Sequence, residues 1–181
     1  MRTLYQAVRD TGDPDKIESN GPIKCTDNSA WLGHGYYFWD SFVELAHHWG
    51  KTHYKGGYMV CSATSELAEA DVYDLIDNPE HIREFRDICK GLMSIYGIEI
   101  TVPFAIEYLK SENDYTYKAI RACGINSFGN SVAQKIVFEQ GHRAFMEMFP
   151  AWQICVTDKN ILTSGSYKVI YPQEYAIGYV I

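Results

Sequence analysis

The sequence predicts one α+β domain spanning residues 1–181, and three observations carry that reading. Stretches with strand character gather at the two ends of the chain. Helical periodicity gathers in the middle. No repeat, low-complexity tract or Pro/Gly/Ser-rich linker divides the chain. Strands from both ends are therefore expected to meet in shared sheets around a cleft.

Each element has a local reason. Residues 3–8 (TLYQAV) read as a first strand. Residues 13–20 read as a short helix, with Pro14 in its first turn and Gly21 as its stop. Residues 35–39 (GYYFW) read as a second strand. Alternation sends Gly35, Tyr37 and Trp39 to one face and Tyr36 and Phe38 to the other. A helix is expected from Ser41, where Ser41 and Glu44 have capping-box spacing. Its apolar face would be Phe42, Leu45, Ala46 and Trp49. Gly56-Gly57 is a turn signal, and residues 58–63 (YMVCSA) read as a buried strand. The longest helix is expected over 79–96, capped by Asn78 and stopped by Gly97. Ile82, Phe85, Ile88, Cys89, Leu92 and Ile95 make its apolar stripe. Residues 103–110 predict another helix. Strands are expected over 132–138, 152–157, 167–171 and 175–181.

Composition narrows the function. The formal charge of −7 argues against a broad phosphate-tracking surface, while leaving room for a small basic pocket. Five cysteines include no C-x-x-C pair, so no zinc or redox motif is present. With no secretory pattern in MRTLYQAVRD, free thiols in a cytoplasmic protein are expected. No apolar run reaches membrane-spanning length, so no membrane partner is expected. The histidines lack the spacing of a helical zinc site, and no metal is expected. There is no G-x-S-x-G nucleophile elbow. The 14 tyrosines suit either a core or a ligand cleft.

One stretch points to chemistry. GHGYYFWDSFVELAHHW, residues 33–49, resembles the second signature of ADP-ribosyltransferases of the diphtheria-toxin and poly-ADP-ribose-polymerase type. That signature is G-x-G-I-Y-F followed by a helix carrying alanine; Gly33, Gly35, Tyr37, Phe38 and Ala46 match it. The resemblance implies a split β-sheet core around an NAD cleft, with the unmatched region 65–125 as a helical insertion. It implies that Gly35 lets the backbone approach the ligand and that Tyr37 stacks on nicotinamide. Tyr36 or Phe38 would pack behind it, and His48 would cover the other face. The family's first signature has His-Gly where this chain has Gln6 and Ala7, so Gln6 would hold a ribose, Ala7 the amide, and nearby Arg9 a phosphate. The third signature, usually a glutamate on a strand, resembles WQICVTD, with Gln153 in the glutamate place; small bacterial members with a Q-I-C-V-type strand are the nearest kind. Glu139 and Glu147 are the nearest carboxylates in sequence, with Glu139 the catalytic candidate.

The resemblance implies an NAD-dependent mono-ADP-ribosyltransferase, with NAD as substrate and a macromolecular acceptor, protein or nucleic acid. Analogy with small stand-alone members adds an intracellular toxin or defence effector with an antitoxin partner. Two alternatives stand beside it: a catalytically degenerate NAD- or ADP-ribose-binding or protein-interaction module, favoured by Gln6 and Gln153, and an NAD glycohydrolase. Tyr37→Ala is expected to remove activity with little loss of folding.

Overall fold

The computed structural model describes residues 1–112, 115–124 and 135–176. In chain order these form β1 (Arg2–Arg9), α1 (Pro14–Asn20), β2 (Tyr36–Asp40), α2 (Val43–His53), β3 (Tyr58–Ser65) and β4 (Val72–Asp74). There follow α3 (Pro79–Tyr96), α4 (Val102–Ser111), β5 (Ala119–Cys123), β6 (Lys135–Val137), β7 (Phe145–Glu147), β8 (Trp152–Val156) and β9 (Lys168–Tyr171). Seven strands make one mixed sheet in the order β4-β5-β8-β2-β1-β3-β9, and β6 and β7 make a separate hairpin.

The two ends of the chain do meet in one sheet. β8 lies between β2 and β5, and β9 pairs with β3. The middle of the chain, however, is more than a helical insertion: β4 and β5 pair in parallel and form one edge of the main sheet. Sequence pattern missed β5 because Arg121 interrupts its apolar run, although Ala119, Ile120, Arg121 and Ala122 are all buried.

Helix ends follow capping chemistry in three cases. The Asp13 side chain accepts from the Lys16 amide, and the Asn78 side chain accepts from the Glu80 and His81 amides. The Thr101 hydroxyl caps α4 through the Phe104 amide. Gly97 closes α3 in the left-handed region at φ 65°. The expected box at Ser41 does not form. Ser41 sits at φ 69°, and its hydroxyl donates to Asp40 Oδ1 at 2.8 Å; α2 starts two residues later without a side-chain cap. Trp49 also leaves the predicted apolar face. It is 40% exposed and stacks on His53, 4.6 Å between centroids.

The expected strand over 132–138 appears as β6, its first three residues lying outside the described part. No strand begins at Tyr175, which ends a 3-10 turn, Gln173–Tyr175; residues 177–181 lie outside the described part.

Alternation divides the sheet's side chains between two cores. Leu4, Val8, Phe38, Met59, Cys61, Ile154 and Val156 pack on one face, with Ile17 and Tyr167. The other face is divided between two helices. Leu45 and Ala46 of α2 bury Ala7, Trp39, Tyr58 and Val60. Ile106 and Leu109 of α4 bury Leu32, Ile120 and Cys155, with Tyr37 packed against them. Among the described residues, no helix is long and apolar enough to cross a membrane.

Candidate functional site

β1 pairs with β3 along all eight of its residues, from Arg2 to Arg9. Its pairing with β2 is far shorter, only Leu4 with Asp40 and Tyr5 with Trp39. Beyond Tyr5 the two strands part and form a fork. This is where Gln6 stands.

The Gln6 amide fills the fork rather than facing a ligand. Its Nε2 donates to the Ile23 carbonyl at 2.8 Å and to the Tyr37 carbonyl at 3.2 Å. Its Oε1 accepts from the Ile23 amide at 2.9 Å and from the Tyr167 hydroxyl at 2.8 Å. Buried polar groups need such partners, and here the side-chain amide uses both of its ends. Gln6 belongs to the face of Leu4 and Val8, whereas Tyr37 and Gln153 belong to the opposite face. The three residues assigned to one dinucleotide therefore do not converge: Gln6 is a pin between the 21–35 loop and the sheet.

Tyr37 and Gln153 do share a face. Register pairs Tyr37 with Cys155 and Trp39 with Gln153, so Tyr37 and Gln153 are diagonal neighbours on adjacent strands. The Tyr37 hydroxyl donates to the Gly33 carbonyl and accepts from the Leu32 amide, both at 2.8 Å. Burial pushes this phenol above its ordinary range, with the neighbouring Cys155 adding to the effect. Gln153 is half-buried, and its Oε1 accepts from the Trp31 indole at 2.7 Å. Its Nε2 meets no partner among the described residues. A neutral amide in that position can donate to a ribose hydroxyl. It cannot carry charge or act as a base.

The glycines answer to protein contacts. A Cβ on Gly35 would collide with the Cys155 sulfur and sit 2.8 Å from the Val156 carbonyl. Gly35 thus admits the close approach of β8. Gly33 lies at φ +79°, where a Cβ would stand 2.6 Å from Lys110 Nζ.

The other expected site residues scatter. Ala7 is buried under α2, and Phe38 is buried in the core on the Gln6 side, with Tyr36 packed against it. Arg9 is exposed, at the end of β1. His48 is half-buried on α2. Glu139 does not end a strand facing a cleft. It lies beyond β6 in the hairpin turn, exposed and 3.4 Å from His142 Nε2. Glu147, in β7, accepts from the Phe149 amide at 3.4 Å. No group of three potential metal ligands occurs among the described residues.

Two features escaped the sequence reading. Trp31 is one, although it opens the same WLGHG run; its role depends on β8, 122 residues away. The other is an ionic cluster around Arg121, whose side chain is 3% exposed. Its Nε donates to Asp40 at 2.7 Å, and its Nη1 reaches Asp74 at 3.0 Å and Asp77 at 2.6 Å. Arg2 reaches the same Asp40 oxygen at 2.7 Å. The cluster lines a cavity of about 140 Å³. It faces away from Tyr37, since Arg121 pairs with Ile154 and Asp40 with Leu4. Nothing in local sequence marks it, because its members come from β1, β2, β4, β5 and the approach to α3.

No family model matches the chain, and no curated protein matches it.

Proposed function

We propose that this chain binds NAD or ADP-ribose on an ADP-ribosyltransferase-like scaffold without performing transfer. The observation that carries the reading is the shared face of Tyr37 and Gln153 beside the β1–β2 fork, in a chain whose residues 33–46 match the G-x-G-x-Y-F and helix signature. The Trp31 indole fixes Gln153 Oε1 and leaves Nε2 to donate to a ribose hydroxyl. Trp31, whose indole meets that amide, and Tyr37, its diagonal neighbour on β2, are the aromatic candidates for stacking a base or nicotinamide ring, which contributes roughly 1–3 kcal/mol.

Transfer is left out of this reading because of the charge its chemistry needs. Breaking a glycosidic bond to nicotinamide builds positive charge on the ribose, and a nearby carboxylate stabilises it. Gln153 is neutral. Asp40 lies across the sheet against two arginines. Glu139 is exposed against His142. Gln6 spends its amide on the fork.

Mono-ADP-ribosyl transfer is the second reading, favoured by the Nε2 of Gln153, which has no partner among the described residues and could orient the sugar for an acceptor. The acceptor would be a protein or nucleic acid, and a toxin or defence role with an antitoxin would follow from that reading alone. Incubation with NAD carrying label in nicotinamide and in adenine separates the cases. Retained binding with no nicotinamide release supports the binding module. Release with adenine label on a macromolecule establishes the transferase. Release with free ADP-ribose establishes a glycohydrolase, and either release overturns the primary reading.

A further inference from the structure

A second cavity, of about 300 Å³, lies between α3, α4 and the segment leading into β5. It shares no residue with the fork or with the Trp31–Gln153 pair. Its walls are three tyrosines, Tyr108, Tyr115 and Tyr117, and two glutamates, Glu84 and Glu112. Ile88 and Leu109 complete the lining among the described residues, which include neither lysine nor arginine.

From this geometry we infer a binding site for a small molecule with a methylated ammonium head group. The rings of Tyr115 and Tyr117 stand 5.5 Å apart at 65°, so two aromatic walls meet at an angle. Aromatic faces attract a cation through their quadrupole, and several rings together form a cage for quaternary ammonium groups. The carboxylates supply the countercharge: Glu84 accepts from the Tyr73 hydroxyl at 2.9 Å, and Glu112 stands with Tyr108 in the cavity wall. Both glutamates are exposed, so their charge lies where the cavity meets solvent. The Tyr115 hydroxyl is buried with no hydrogen-bond partner among the described residues. Methylated ammonium fits better than a primary amine. It is weakly hydrated and needs contact with rings more than directed acceptors. The volume accepts such a head group with a short tail.

Calorimetric titration of the full chain with tetramethylammonium chloride and with choline tests the site. The uncharged control is 3,3-dimethyl-1-butanol, which has choline's shape. Both cations are expected to bind saturably, at least about fivefold more tightly than the alcohol. Tyr108→Ala and Glu112→Gln are each expected to weaken the cations at least about threefold, with far-UV circular dichroism unchanged. Both positions are exposed; if Tyr108→Ala fails to fold, Glu112→Gln decides. The inference is overturned by no saturable binding up to about 100 mM cation, by equal binding of the alcohol, or by a folded Glu112→Gln that binds as wild type. NAD binding is untouched by either variant, so failure here is distinct from failure of the dinucleotide site.

Discussion

Gln6→Met tests whether residue 6 holds the fold or a ligand. Methionine matches glutamine in length and removes every polar atom. Four hydrogen bonds vanish: two to Ile23, one to the Tyr37 carbonyl and one to the Tyr167 hydroxyl. The two Ile23 bonds close the 21–35 loop onto the sheet, and at about 1 kcal/mol net each they contribute about 2 kcal/mol. The Tyr167 hydroxyl is left on a residue only 7% exposed, and an orphaned buried hydroxyl costs about 1–3 kcal/mol. The Tyr37 carbonyl bond is the longest of the four and adds least. The sum is a loss of about 3–5 kcal/mol, large against the usual stability of a single domain. Urea unfolding followed by tryptophan fluorescence measures it. The midpoint should fall with an unchanged slope, because the surface exposed on unfolding is the same. A stability loss under about 1 kcal/mol would refute the pin. Normal stability with abolished NAD binding would return Gln6 to the ligand.

Arg121→Met should cost about 3–5 kcal/mol by leaving buried Asp40 with Arg2 and the Ser41 hydroxyl, measured by the same unfolding; a near-neutral result would mean the cluster is already hydrated. Burial alone would raise the Asp74 pKa, but the amides of Asp77 and Ile76 and the Arg121 guanidinium outweigh it and hold the carboxyl below its ordinary value. A depressed carboxylate stabilises the fold above its unfolded pKa, about 3.9, and that contribution is lost as pH falls through the folded value. Asp74→Asn should therefore flatten the acid limb of stability below about pH 4 and leave its shape near neutrality unchanged. Tyr37→Ala should destabilise by about 3–5 kcal/mol, against the sequence expectation of a harmless site probe, because its ring packs on the α4 core and its hydroxyl holds the Leu32–Gly33 turn. Burial pushes the Cys61 and Cys155 thiols up to about 11, so both should resist a thiol reagent at pH 8 in native protein while exposed Cys123 reacts first, as read by mass spectrometry of labelled peptides.

Elements with self-contained signals were legible in sequence. Asn78, Pro79 and Gly97 bracket α3 as the structure has it, because a cap, a first-turn proline and a left-handed glycine act within a turn of themselves. The alternation of Tyr37 and Trp39 against Tyr36 and Phe38 was legible for the same reason. What depended on distant pairing was not. Gln6 looks like a free polar residue until Ile23 and Tyr167 surround it. Gly35 looks like a ligand door until β8 passes against it. Ser41 and Glu44 have the spacing of a cap, but the serine hydroxyl goes to Asp40 and Ser41 sits at positive φ. Arg121 inside an apolar run is meaningful only beside three aspartates that the fold brings to it. The shared face of Tyr37 and Gln153 required the β2–β8 register, which no local pattern encodes.

The most direct test of a dinucleotide site beside the fork is calorimetric titration of NAD into the wild type and into Gln153→Ala. Gln153 is half-buried and its Nε2 has no partner among the described residues, so its loss removes the ribose contact at the cost of the single Trp31 indole bond, with the fold checked by far-UV circular dichroism. The account predicts saturable binding in the wild type, weakened at least about fivefold by the variant, for the loss of about 1 kcal/mol of hydrogen bonding. No binding at millimolar NAD, or the same affinity in both proteins, would contradict it.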